Sequence, residues 1–238
     1  GMSEYGPSLT PRMRPINPKR STIVSVLDVG TSKVVCLIAE LLPVSGAEAL
    51  KGRTHKARII GLGHQRARGI KGGAIIDLEA AEHSIRLAID AAERMARVEV
   101  RSVIVNMTGG RLKSEAYNAE IFLRGQGVAD GDIRRVFEAM SYTGAETGRS
   151  VLHSLPTGFS IDETRHIRDP HGMIGEKLGV DMHILTSDEY AIRNLMLAVE
   201  RCHVGVEAVV ASPYASGLSS LVDDEAEMGV DVVDLGGG

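Results

Sequence analysis

Residues 23–38 read Ile-Val-Ser-Val-Leu-Asp-Val-Gly-Thr-Ser-Lys-Val-Val-Cys-Leu-Ile. Two apolar, β-branched arms flank a polar tip, Asp28-Val29-Gly30-Thr31-Ser32-Lys33, which predicts two strands joined as a hairpin. Gly30 has no Cβ, so the backbone can turn sharply there and come close to a ligand. Thr31, Ser32 and their amides can donate hydrogen bonds to phosphate oxygens, and Lys33 adds positive charge. Asp28 would face a phosphate-bound Mg²⁺ through water, because Mg²⁺ keeps much of its hydration shell. A match this short is also what an ordinary surface hairpin would show, so the rest of the chain decides.

The totals narrow the field. At 238 residues the chain can bury a real core as one large or two modest domains. No apolar run approaches the length of a membrane span, which predicts a soluble globular protein. The net charge of −4 comes from mixed signs with no dominant basic face, an argument against nucleic acid as the main partner. Trp is absent and Phe and Tyr are few, so the core is expected to be Val, Ile, Leu and Ala, with few platforms for stacking bases. Cys36 and Cys202 lie far apart in apolar contexts and read as buried thiols of a cytosolic protein. No signal peptide is visible, and Gly1 ahead of Met2 is set aside as a residue left by tag cleavage.

Taken in order, residues 1–20 hold four prolines and several basic residues without periodicity, a disordered tail. The hairpin follows, then a polar loop from Pro43 to Lys56 and a third strand over Ala57 to Gly63. Gly69-Ile70-Lys71-Gly72-Gly73 lacks the spacing of a P-loop and reads as a turn. Asp77 can cap a helix with Leu78, Ala81, Ile85, Ala88, Ile89, Ala92 and Ala96 on one face. Strands are then predicted at Val103–Met107 and Ala116–Phe122, and a short helix capped by Asp130 with Ile133, Val136, Phe137 and Met140 on one side. After a polar linker from Thr143, strands over 151–162 and 180–186 are joined by a Gly-, His- and charge-rich loop. Thr186-Ser187-Asp188-Glu189 matches a capping box ahead of a helix bearing Ile192, Leu195, Met196 and Val199. Val206–Ala211 is a strand, Ser212-Pro213-Tyr214 opens a further helix, and Val230–Leu235 is a final strand.

That last strand runs into Gly236-Gly237-Gly238, and Asp234 precedes them. A second strand-borne acid with a glycine tip changes the reading of the first. Two such tips facing each other can hold one Mg²⁺-nucleotide, the amides on the phosphates and the carboxylates on metal-bound water.

In Asp28–Ser32 and Asp234–Gly238 the chain resembles the phosphate motifs of the actin-like ATPase superfamily. Within it, His153-Ser154-Leu155-Pro156, Phe159, Asp162, Asp169-Pro170, Gly172-Met173, Gly175, Leu178 and His183-Ile184 are similar to the inserted domain of the FtsA family. The resemblance covers residues 22–238 and only the amino-terminal half of the family's protein. It implies an α/β fold: an actin-like (ribonuclease H-like) domain with a mixed sheet plus a small inserted α+β domain. The expected division is a tail at 1–20, domain 1A at 21–98 and 186–229, the inserted domain 1C at 99–185, and the first strand of a truncated domain 2A at 230–238.

The resemblance further implies an ATP-binding scaffold of bacterial division that polymerises and links the FtsZ ring to the inner membrane. The phosphate site would comprise Asp28, Gly30, Thr31, Ser32, Lys33, Asp234, Gly236, Gly237 and Gly238, with Asp28 and Asp234 reaching Mg²⁺ through water. ATP and Mg²⁺ are implied for the complete protein and none bound by this stretch alone. FtsZ would bind a domain missing here, and the membrane a missing carboxy-terminal helix. FtsN or other late division proteins would bind the insertion, and copies would associate into filaments at the cytoplasmic face of the division site. Ser212 stands where related ATPases carry an acid that positions water, so the expected activity is at most a weak ATPase with no catalytic residue assigned. A sugar- or acetate-kinase-type phosphotransferase on the same fold, or another actin-like adaptor such as a pilus assembly ATPase, is the alternative. His153, His166, His171 and His183 match no zinc spacing and read as surface histidines.

Overall fold

The computed structural model describes residues 22–43, 55–109, 111–140, 148–211 and 232–233. In chain order its elements are β1 (Thr22–Val29), β2 (Lys33–Pro43), β3 (His55–Arg66), β4 (Ile70–Lys71), β5 (Ala74–Ile75), α1 (Leu78–Ala96) and β6 (Ser102–Met107). There follow β7 (Lys113–Phe122), α2 (Asp130–Glu138), β8 (Arg149–Ile161), β9 (Thr164–Ile167) and β10 (Lys177–Asp188). The described chain closes with α3 (Glu189–Glu200), β11 (Gly205–Val210) and β12 (Val232–Val233). Leu112–Glu189 forms one compact unit, and the described residues up to Arg111 and from Tyr190 onward form the other.

The larger unit is built on a mixed six-stranded sheet in the order β11-β6-β1-β2-β3-β12. β1, β2 and β3 form an antiparallel meander, whereas β6 pairs with β1, and β11 with β6, in parallel. β2 is buried at nearly every position from Val34 to Leu41, the pattern of a strand covered on both faces. Leu37, Ala39, Leu41, Ala57 and Ile59 cluster together. α1 lies on β3 and β2. The Asp77 carboxylate accepts a hydrogen bond from the Ala80 amide at 3.1 Å, and Arg97 closes the helix in the left-handed region with φ 57°. α1 lies flush against the sheet because two glycines remove side chains beneath it. A Cβ on Gly63 would stand 2.0 Å from the Ala88 carbonyl oxygen, and one on Gly61 2.5 Å from that of Ala92.

The smaller unit is a four-stranded antiparallel sheet, β7-β10-β8-β9, with α2 packed on β7 and β10. Its core joins Val136 and Met140 to Leu178, Val180, Met182 and Ile184, and Phe137 meets Phe159 edge to face at 6.0 Å. Asp162, with φ 52°, turns β8 into β9, and its carboxylate accepts the amides of Glu176 and Lys177, each at 2.9 Å.

Several expectations are corrected here. Val103–Met107 is not part of the insertion begun at residue 99. As β6 it completes the larger sheet, and the smaller unit starts at Leu112. The Gly- and charge-rich joining segment contains a strand of its own, β9. Asp130 is the first residue of α2 rather than its cap; Asp132 accepts from the Ala129 amide at 3.0 Å, while Asp130 Oδ1 pairs with His171 Nε2 at 2.6 Å. Thr186 cannot cap α3, because β10 runs on to Asp188 and the Thr186 hydroxyl accepts from Arg149 Nε at 3.0 Å. The turn expected at Gly69–Gly73 is present at Gly72-Gly73, as the tip of a short hairpin that pairs Ile70–Lys71 with Ala74–Ile75. Val232 and Val233 pair antiparallel with Arg58 and Ala57 at the edge of the first sheet. The expected tail at 1–20, most of the loop after Pro43, most of the linker from Thr143 and the helix at Ser212 lie outside the described residues.

The glycine contacts lead to opposite stability effects. Gly63→Ala forces a methyl into the α1 backbone and is expected to lower stability by about 2–3 kcal/mol. Gly131→Ala, in the first turn of α2 with open space around it, should raise stability by about 0.5–1 kcal/mol. Urea denaturation of the two variants beside the parent chain measures both shifts.

Candidate functional site

Parallel pairing sets the site. Val29 lies opposite Met107, and Val210 opposite Asn106, so β1, β6 and β11 end along the same edge of the sheet. The carboxyl ends of parallel strands are where α/β sheets hold their ligands, because the backbone leaves the ladder there. Asp28 is the last polar residue of β1 before that edge. It belongs to the strand and is 2% exposed. Its cross-strand neighbour is Asn106, 3% exposed, whose Nδ2 donates to Asp28 Oδ1 at 3.3 Å.

The tip follows directly. The Gly30 amide donates to the Lys33 carbonyl at 3.0 Å, and a Cβ on Gly30 would stand 3.1 Å from that same oxygen. The Ala67 amide donates to the Ser32 carbonyl at 2.9 Å, tying the tip to the end of β3. Thr31 and Ser32 are exposed, while Lys33 is half-buried as the first residue of β2, opposite Arg66. Beside this turn the Thr108 amide donates to the Val29 carbonyl at 3.4 Å. Gly109, with φ 88°, then packs its backbone on the β4–β5 hairpin, where a Cβ would stand 2.5 Å from the Gly72 carbonyl oxygen. Three backbone turns, at 30–32, 72–73 and 108–109, are thereby joined by direct backbone contacts.

The electrostatics follow from burial. Desolvation pushes the Asp28 carboxyl up to about 6 from its ordinary value near 3.8, and the Asn106 amide offsets part of that rise. A neutral amide is the one side-chain partner that holds the charge down among the described residues. A buried carboxylate so poorly compensated is suited to a cation brought by a ligand. No cluster of three or more His, Cys, Asp or Glu able to hold a metal occurs among the described residues. Asp28 would be the acceptor for water around a phosphate-borne Mg²⁺, and the exposed Thr31 and Ser32 hydroxyls could donate to phosphate oxygens. Asp234, Gly236, Gly237 and Gly238 lie outside the described residues.

Asn106 belongs to no motif in the sequence, whereas the end of its strand at Thr108 and Gly109 is marked by the glycine. The available signal was a polar residue inside the apolar run Val-Ile-Val-Asn-Met. Of the four histidines, His171 stands between two carboxylates, Nδ1 2.5 Å from Asp169 and Nε2 2.6 Å from Asp130. Asp169, then Asp130, holds its imidazole above the usual range. His183 and Ser114 are hydrogen-bonded partners.

Comparison with known proteins gives a consistent picture. Residues 109–186 match the family described as "SHS2 domain inserted in FTSA". The chain is 54% identical over 238 residues to the cell division protein FtsA of Agrobacterium fabrum, covering 100% of this chain and 53% of that protein. It is 34% identical over 212 residues to the cell division protein FtsA of Pseudomonas aeruginosa, across 89% of this chain and 48% of the other. The chain thus spans about half the length of the curated relatives it matches. Among solved structures, a chain of the PilM-PilN type IV pilus biogenesis complex is similar at 14% identity and a TM-score of 0.49, over 86% of this chain and 51% of that one.

The raised Asp28 carboxyl predicts a specific pH dependence. In the unfolded chain it ionises near 3.8, in the folded chain near 6, so the folded state is increasingly penalised as pH rises through that window. Asp28→Asn keeps the shape and removes the penalty. It should stabilise the chain by about 2–3 kcal/mol at pH 7 and by nothing below the unfolded value. Thermal melts of both chains from pH 3.5 to 7.5 check the difference and its disappearance in acid.

Proposed function

We propose that this chain, similar along its whole length to FtsA cell-division proteins, is part of that family and supplies one wall of the ATP site of an actin-like division scaffold. The observation that carries this reading is the buried Asp28 carboxylate at the carboxyl edge of parallel strands, followed at once by the Gly30-Thr31-Ser32 tip. In it, Asp28 accepts from water around a nucleotide-borne Mg²⁺ and holds that water in place. The Thr31 and Ser32 hydroxyls and the tip amides bind phosphate oxygens, and Lys33 adds positive charge near them. Gly30 gives the close approach that a Cβ would block. Mg²⁺ supplies neutralisation of the phosphate charge when bound. Asp234, Gly236, Gly237 and Gly238 form the facing wall in the family-length protein.

Nucleotide in this reading acts mainly as a conformational and assembly switch, with turnover weak at most, since Ser212 offers no base for water. The family-length protein forms filaments on the cytoplasmic side of the inner membrane at the division site. Its contacts with FtsZ and with the membrane belong to parts of the family protein outside these 238 residues. The unit Leu112–Glu189 serves its neighbours in the filament and later division proteins such as FtsN.

The test is polymer formation. The family-length protein mixed with ATP and Mg²⁺ should yield sedimentable polymer. Asp28→Ala should weaken ATP binding by about tenfold or more and reduce the pelleted fraction with it. Rapid phosphorylation of a sugar or acetate panel without polymer would overturn the reading in favour of a phosphotransferase.

A further inference from the structure

We infer that Asn106 is a positioning residue that fixes the orientation of the Asp28 carboxylate toward bound metal-nucleotide. This rests on the reading that Asp28 serves such a site, and it assigns a role to a residue no motif includes.

Asn106 occupies the middle of an apolar run on β6, with Val105 and Met107 at 0% and 1% exposed on either side. An amide buried there costs free energy unless its polar atoms are used. Its use is specific. Parallel pairing puts Asn106 directly beside Asp28, and its Nδ2 reaches Oδ1 at 3.3 Å. An aspartate has two torsions and two equivalent oxygens. One fixed donor on Oδ1 selects a rotamer and leaves Oδ2 as the oxygen to face an outer ligand. The next residue on each strand carries the same register to the edge, where Thr108 donates to the Val29 carbonyl. Asp28 is thus gripped at the side chain and, one residue on, at the backbone.

An asparagine that merely satisfied a buried acid would be replaceable wherever the fold survived. A positioning donor acts differently: without it the acid stays but loses its fixed aim. Partners in the shell behind a metal's own contacts typically change metal affinity by about 10- to 100-fold.

The experiment has two arms. In this chain, without nucleotide, side-chain scalar couplings of Asp28 report its rotamer by NMR. One rotamer is expected in the parent and averaging in Asn106→Leu, with Asn106→Ala as the second donorless variant should the leucine disturb folding. Asn106→Gln, which keeps the donor, should restore a single rotamer. In the family-length protein, the Mg²⁺ concentration giving half-maximal ATP binding should rise about tenfold in the donorless variants and less than threefold in Asn106→Gln. ATP affinity at saturating Mg²⁺ should move by less than twofold. A single Asp28 rotamer in both donorless variants overturns the inference, as does an unmoved Mg²⁺ requirement where Asp28→Ala does move it. If Asp28→Ala itself leaves Mg²⁺-dependent ATP binding intact, the nucleotide reading fails and the inference with it.

Discussion

The constraint around which the larger sheet is arranged is a carboxylate that water would rather keep. Asp28 lies at the end of the central pair of strands, 2% exposed, with burial working against its charge. A strand selected for stability alone would carry an apolar residue there, since Leu27 and Val29 on either side are buried just as fully. What makes the position tolerable is non-local. β6 arrives after α1, runs parallel to β1, and presents Asn106 at the matching register. The same pairing that closes the sheet therefore supplies the hydrogen bond that keeps the acid ionisable. Shifting the register by one residue would set Met107 beside Asp28 and remove both benefits.

Glycine governs the rest of the larger unit, for steric reasons in two different senses. Gly61 and Gly63 allow α1 to rest on β3 backbone to backbone, with Cys36 and Ile38 as their partners on β2. Gly72, Gly73 and Gly109 instead occupy the left-handed region and let two turns touch. The first set is about packing, the second about shaping the edge from which Asp28 and the tip emerge. Both are written in the chain as glycines without any mark of which is which.

Legibility in the sequence follows the range of the interaction. The first hairpin and α1 could be read because alternation, a turn residue and an Asp77 cap are all local signals. The place of β6 could not. Val103–Met107 reads as a buried strand in any setting, and only its pairing with β1 assigns it to the larger sheet. The capping box at Thr186 failed for a related reason: the local pattern competes with a long β10, and the partner of the Thr186 hydroxyl, Arg149, is distant in sequence. Asp130 is the converse, an apt cap by type whose carboxylate is drawn to His171 across the unit while Asp132 bonds the Ala129 amide. Of the candidate site, the turn at Gly30-Thr31-Ser32 after Asp28 was legible as the tip of a hairpin. Asn106 was not, because its meaning lies in what stands beside it.

The residues that most resemble the family in the smaller unit turn out to carry its fold. Asp162 bonds two backbone amides of the segment entering β10, and Gly175 sits where a Cβ would be 2.3 Å from Ile161. Leu178 is fully buried, Phe159 stacks edge to face on Phe137, and Gly172 takes φ 80° in the loop that bonds Val128. Each has a packing or backbone reason to be the residue it is. A motif of this kind identifies the unit without identifying its binding surface. Phe122, 72% exposed, and Ile174, 74% exposed, lie outside that motif. The phosphate tip has the opposite character. Thr31 and Ser32 are exposed, and only the turn around them, through Gly30 and the Ser32 carbonyl, has a structural duty.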